Sequence, residues 1–257
     1  MAISTNSVIH YTGEINNLKG ILECEGFRLK YCSEALDILL NNSLLAAIPI
    51  VSFCDIPLSE VKNHIDSYGQ YGIGLSKSWA KKSELNPVLY LERESRLSKE
   101  FKTQANLILD YLKENGQKEK GFSEDVQAHF NFITRLITYC KNYEGPLERG
   151  KFKSESYRFY DEKEWRYVAK KEEIGNAPWI IHSSEYTKNK LKYNKLVETC
   201  YLKFSHKDIS YIIIDNENEI PEILNLLHNI YEDKCTTKEL KILTTKILTK
   251  NQIYNDF

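Results

Sequence analysis

Strand-like runs at both ends of the chain and a helical middle predict an α+β fold. Short β patterns separated by turn residues occupy the stretch from Val8 to Leu91, two amphipathic stripes with three- and four-residue steps fill the middle, and strand patterns return from Trp165 to Ile214. The 257 residues suffice to bury a core without disulfides or metal. No internal repeat or low-complexity tract divides them, so a single domain over residues 1–257 is expected, with a helical insertion at about residues 95–145.

The elements follow in order. Val8 to Tyr11 reads as a strand, and Ile15, Leu18, Ile21 and Leu22 share one helical face that Gly26 is placed to stop. Strands are expected at Phe27 to Tyr31, Pro49 to Phe53, Gly72 to Leu75 and Pro87 to Leu91. Phe101, Ala105, Ile108 and Leu112 make one helical stripe, and Val126, Phe130, Ile133, Ile137 and Cys140 make another, joined near Gly116 to Gly121. Residues 144–158 carry glycine, proline and mixed charge and read as a surface loop. Strands resume at Trp165 to Ala169, Trp179 to His182, Cys200 to Phe204 and Tyr211 to Ile214, after which Asn216 and Glu219 resemble a capping pair for the helix of Ile220, Ile223, Leu224, Leu227 and Ile230.

Composition narrows the function classes. Lys and Arg total 35 against 36 for Asp and Glu, so no net field draws the molecule to nucleic acid or to an anionic membrane. Six cysteines, at 24, 32, 54, 140, 200 and 235, contain no C-x-x-C pair; buried thiols in a reducing cytoplasm are expected, and no metal site. The start MAISTNSVIH lacks a basic n-region and an apolar h-region, and no apolar run approaches the roughly 18 residues that span a bilayer, so a cytoplasmic protein without membrane contact is expected. The signatures G-x-x-x-x-G-K-[ST], G-x-S-x-G, H-E-x-x-H and G-x-G-x-x-G after a strand are absent.

Three islands hold the candidate chemistry. His10-Tyr11-Thr12 closes the first strand as the chain turns into a helix, a place that suits an ordinary strand end or a ligand contact. The stretch IPIVSFCDIPLSEVKNHIDSYGQYGIGLSK brings Ser52, Phe53 and Asp55 to one strand end and Tyr68 and Tyr71 to the start of the next; its aromatics suit edge packing or a ligand wall. In DEKEWRYV a period of two puts Glu164, Arg166 and Val168 on one face and Trp165, Tyr167 and Ala169 on the other, giving either an ion pair or a functional carboxylate beside a guanidinium. Residues 185–195, EYTKNKLKYNK, interleave four lysines with two tyrosines and read chiefly as a solvated loop, with contact to nucleic-acid phosphates and bases as the alternative.

A histidine on the first strand, an aromatic-bearing segment and a glutamate on a later strand resemble the motif order of the ADP-ribosyltransferases. The strings IPIVSFCDIPLSEVKNHIDSYGQYGIGLSKSWA, NPVLYL, DEKEWRYV and LTTKILTKNQIYNDF look like the AbiGi-type proteins of abortive phage resistance, over nearly the whole chain. The first resemblance implies a split, bent sheet and NAD held with its nicotinamide between aromatic rings. Phe53 with Tyr68 or Tyr71 would form that wall, His10 would bond a ribose hydroxyl, and Tyr11, Thr12, Ser52 and Arg166 would complete the cofactor contacts. Glu164 would be the catalytic carboxylate, stabilising positive charge that develops on the ribose, and it is expected to stand partly exposed in a concave site. No Ser-Thr-Ser run precedes it, so the arginine-modifying branch is not matched. The implied function is ADP-ribosyl transfer from NAD to a protein or nucleic-acid acceptor in a bacterial anti-phage system. The alternative is a non-catalytic antitoxin that neutralises a partner encoded by a neighbouring gene.

Overall fold

The computed structural model describes residues 4–35, 45–115, 124–149 and 152–257. The first half contains β1 (Ser7–Thr12), α1 (Ile15–Glu23), β2 (Gly26–Arg28), β3 (Lys30–Ala35), β4 (Leu45–Cys54), α2 (Lys62–Tyr68), β5 (Tyr71–Ser76), α3 (Lys77–Lys82), β6 (Asn86–Pro87) and β7 (Leu89–Leu91). The helices α4 (Arg96–Asn115) and α5 (Glu124–Thr138) lead to β8 (Cys140–Asn142), β9 (Gly145–Arg149), β10 (Phe152–Tyr157) and β11 (Glu164–Val168). The remainder is β12 (Ile181–His182), α6 (Ser183–Lys188), α7 (Lys190–Leu196), β13 (Tyr201–Lys203), β14 (Ile209–Ile214), α8 (Ile220–Tyr231), α9 (Thr237–Thr244), β15 (Ile247–Thr249) and α10 (Lys250–Asp256). Mixed helix and sheet confirm the α+β class.

The main sheet runs β15-β14-β5-β1-β4-β11-β6, with β3 and β12 also paired to β4. Its pairings are antiparallel except β14 with β15. Side-chain alternation sorts its two faces. Val51 and Phe53 of β4, Ile73 and Leu75 of β5 and Tyr167 of β11 face a core closed by Leu18 and Leu22 of α1 and by Ile223, Leu227 and Tyr231 of α8. Full burial of a leucine such as Leu18 or Leu22 contributes about 1.5–3 kcal/mol. On the other face, Ala46, Ile48 and Ile50 pack with Ala105 of α4 and Ile137 of α5. That contact accounts for Phe101, Ala105, Ile133, Ile137 and Cys140 of the helical stripes; the side chains of Ile108, Leu112, Val126 and Phe130 and the Gly116 to Gly121 join lie outside the described residues.

One junction in this sheet is thin. β1 pairs with β5 at six successive positions from Ser7↔Ser76 to Thr12↔Tyr71, but with β4 only at Ile9↔Cys54. β3 takes the same edge of β4 from Ile50 to Leu45, since Ile50 meets Lys30 on one side and Val168 on the other. Val51, Ser52 and Phe53 are thus left without a strand partner on that edge. Among the described residues, the gap lies within one continuous nine-stranded sheet.

Several expectations are corrected. Residues 144–158 are not a loop: β9 and β10 form a hairpin there, its strands paired from Phe152↔Arg149 to Tyr157↔Gly145. The lysine-rich 185–195 stretch folds as α6 and α7, because Tyr186 packs in the core and donates to the Tyr31 carbonyl at 2.7 Å. Asn216 caps a short 3-10 turn at Asn218 instead of α8 itself. The C-terminal elements α9, β15 and α10 escaped the sequence pattern, although Thr236 with Glu239 and Thr249 with Gln252 form capping boxes.

Candidate functional site at the parted strand edge

The gap beside β4 opens into a cleft of about 750 Å³, within the range of small-molecule sites. α1 and β2 form one wall, and Tyr68, Lys141, Glu162 and Glu164 line the cleft with the β4 edge. His10, the third-last residue of β1, turns its ring into the gap, where Nδ1 meets the Ser52 carbonyl oxygen at 2.8 Å. Since a carbonyl only accepts, Nδ1 carries the proton, and in the neutral ring Nε2 is left as an acceptor. Burial lowers the His10 pKa and the charge of Lys30 adds to this, against the bond to Ser52, so the neutral form is favoured. Phe27 and Phe53 support the ring at centroid distances of 5.1 and 5.7 Å.

Phe53 and His10 lie on one face of the sheet, whereas Ser52, Glu164 and Arg166 lie on the other; the cleft reaches both because β1 has parted from β4. Glu164 is 5% exposed, not partly open as expected. Its Oε1 accepts from Ser52 Oγ at 2.6 Å and from Arg166 Nε at 2.8 Å, and its Oε2 from Lys141 Nζ at 2.9 Å. Burial pushes the carboxyl up, but the charges of Arg166 and Lys141 and the bonds from Arg166 and Ser52 outweigh it, holding Glu164 well below the usual carboxylate range. A carboxylate offers about four acceptor positions, so one remains, on Oε2.

Lys163, in the left-handed region at φ 46°, turns the chain between Glu162 and Glu164. Both carboxylates consequently reach Lys141, and Tyr68 donates its hydroxyl to Glu162. Gly69, directly after Tyr68, has φ 120°, and a side chain there would meet the Thr12 carbonyl at 2.3 Å, so only glycine lets α2 end against β1. Arg166 is fully buried: besides Glu164 it donates to Thr138 O at 2.8 Å and Glu34 Oε2 at 2.9 Å. Glu34, Glu162 and Glu164 thus face two cations, Lys141 and Arg166, and the cluster carries one formal negative charge. Among the described residues, Arg28, Lys30 and Glu23 are the remaining charged groups of the wall.

Of the expected site residues, His10, Tyr11, Thr12, Ser52, Phe53, Tyr68 and Glu164 line this cleft. Thr12 Oγ1 accepts from Asn17 Nδ2 at 3.0 Å, and Tyr11 packs on the opposite face from His10, its hydroxyl buried without a partner. Two residues are placed elsewhere. Tyr71 points into the core and donates to Glu219 at 2.8 Å, so that of Tyr68 and Tyr71 it is Tyr68 that lines the cleft, and Arg166 lies behind the wall, consumed by Glu164, Glu34 and Thr138. Sequence reasoning missed Lys141 and Glu34. Lys141 carries no local signal, while Glu34 continues the alternation of Lys30 and Cys32 on β3.

Among the described residues no helix is long and apolar enough to cross a membrane. No solved structure matches the chain. A curated relative, "Abortive phage resistance protein AbiGi" of Lactococcus lactis subsp. cremoris, is 26% identical over 227 residues, covering 82% of this chain and 89% of that protein. The family model described as "Putative abortive phage resistance protein AbiGi, antitoxin" matches residues 26–215, which include β4, α2, β11 and most of the cleft wall. The chain belongs to the AbiGi family of abortive phage resistance proteins.

Proposed function

We propose that this abortive phage resistance protein binds NAD in the cleft beside β4 and acts as an ADP-ribosyltransferase. The observation that carries the reading is that an ionised Glu164 with an acceptor position to spare and a neutral His10 with a bare Nε2 line one cleft. The net negative cluster beneath suits the cationic nicotinamide ring, and Arg28 and Lys30 supply positive charge for a pyrophosphate. In the reaction the bond between nicotinamide N1 and ribose C1′ breaks, and its electron pair leaves with nicotinamide. Positive charge grows on the ribose, where the fixed carboxylate acts. A nucleophile of a protein or nucleic acid then bonds C1′ and releases its proton to solvent.

Incubation of the protein with labelled NAD and cell extract is expected to label an acceptor and release nicotinamide, and Glu164→Gln to abolish both. NAD at about 100 times its dissociation constant raises stability by about 2.7 kcal/mol, visible as a thermal shift. Silence of both proteins together with no thermal shift would overturn the reading.

A second reading, of a non-catalytic antitoxin, has its own support. The family description names an antitoxin, which implies a toxin partner, and Leu97, Leu107 and Phe132 on the insertion helices are 55%, 59% and 63% exposed. Under that reading expression alone is harmless, co-expression rescues cells from the toxin of a neighbouring gene, and Glu164→Gln rescues equally well.

A further inference from the structure

The structure assigns a second site, outside the cleft: we propose that His206, Cys235 and Glu239 bind a divalent cation of the zinc class. The imidazole nitrogens, the thiol and the carboxylate offer one ligand atom each, and these lie within 4.8 Å of one another. Three separate segments supply them: the 3-10 turn after β13, the chain just beyond α8, and the first turn of α9. One nitrogen, one sulfur and one oxygen form a borderline set that matches zinc better than the all-oxygen shells of magnesium or calcium.

The second observation is an unmet demand for a partner. His206 Nε2 is buried without a hydrogen bond, and its distance of 3.9 Å from Glu239 Oε1 is too long to make one. Beside it the fully buried Tyr231, whose ring packs on His206 at 5.6 Å, also has a hydroxyl without a partner. Buried polar atoms are seldom left so. Glu239 Oε2 is occupied by the Thr236 amide and hydroxyl, each at 2.9 Å, which fixes the carboxylate and presents Oε1 to the cluster. The competing cation at Oε1, Lys207 at 3.1 Å, is 69% exposed, so a metal displaces it into solvent at small cost.

On binding, Cys235 loses its thiol proton to solvent and its sulfur joins the metal, with water in the fourth position. The ion would pin the α8–α9 junction to the turn that precedes β14. The absence of C-x-x-C spacing hid this group: Cys235 and Glu239 lie four residues apart, but His206 comes from a separate turn well before them.

The test uses the full chain, stripped with a chelator and reloaded with Zn²⁺ or Co²⁺. Expected are one metal per chain by elemental analysis and, for cobalt, a thiolate charge-transfer band that Cys235→Ser abolishes. His206→Ala and Glu239→Gln should weaken binding by at least about tenfold. Circular dichroism of each variant against the stripped wild type separates ligand loss from unfolding, and any one of the three that stays folded suffices. No cobalt uptake by the stripped wild type, or an unchanged band and affinity in a folded variant, would overturn the site.

Discussion

Asp55 and Glu164 stand almost side by side, since Glu164 pairs with Cys54 across the β4–β11 ladder, yet their surroundings differ in kind. Asp55 Oδ2 accepts from Ser4 Oγ at 2.9 Å and Lys77 Nζ at 2.6 Å, and Oδ1 from the Thr5 amide at 2.9 Å, while the Thr5 hydroxyl gives its one proton to the Ser7 carbonyl. Three acceptor positions are filled, one cation balances one anion, and the carboxylate does not line the cleft. That is a staple, tying the N-terminal segment to the start of α3. Glu164 also fills three positions, but it belongs to a cluster with an excess carboxylate and borders a cleft. A buried anion balanced by its own cation away from a cavity serves the fold, whereas one in a cluster with excess negative charge beside a cavity is available to a ligand.

The largest effect should come from Arg166, which neutralises the Glu164 cluster from behind. Arg166→Ala leaves Glu164 and Glu34 facing Lys141 alone and is expected to lower the unfolding free energy by about 3–5 kcal/mol in urea titrations. A loss below about 1 kcal/mol would mean that water already screens the cluster, and the contrast with Asp55 would fail.

Smaller effects should separate the two carboxylates. Asp55→Asn cannot satisfy both Lys77 and the Thr5 amide as before and should cost about 1.5–3 kcal/mol, with NAD binding unchanged. Glu164→Gln leaves two carboxylates against two cations, so the cluster becomes formally neutral; the variant should lose less stability than Arg166→Ala while losing NAD binding. Calorimetric titration of both variants checks this. An Asp55→Asn protein that folds but no longer binds NAD would erase the distinction.

How far this was legible in sequence depends on where each partner comes from. The shared face of Glu164 and Arg166 follows from strand alternation, and the His10 turn and the glycine-bracketed tyrosines mark strand ends, so these parts were readable. The partners that decide their meaning come from elsewhere in the chain. Lys141 arrives on β8 after α5 and Glu34 on β3, and nothing local announces that Lys141 will meet Glu164 or that Glu34 will meet Arg166. Burial of Glu164 was misjudged for that reason: an isolated carboxylate must stay wet, but one met by two cations need not. Tyr71 was misread because its alternation on β5 fixes its face, and only the register with β1 and β14 shows that this face is core. Residues 185–195 hold lysines outward on short helices whose one buried tyrosine is too weak a pattern to read as helical.

The smallest expected effect concerns the neutral partner of Glu164 in the cleft. His10 should titrate below its ordinary value of 6.5, because burial, helped by Lys30, opposes the charged ring. Between the folded and unfolded pKa values the unfolded chain binds more protons, so the contribution of neutral His10 is complete above about pH 6.5 and is lost as pH falls from there. The stability difference between wild type and His10→Gln should therefore narrow from about pH 8 to about pH 5, and the imidazole resonances should report a titration midpoint under 6.5. The Ser52 carbonyl fixes the proton on Nδ1, so the neutral ring has its lone pair on Nε2. Were His10 to titrate above 6.5, both nitrogens would be donors near neutral pH, and the cleft would present a cation beside its anion. Such a ring would repel the nicotinamide cation, and the NAD reading would lose its second contact while the Asp55 staple stayed intact.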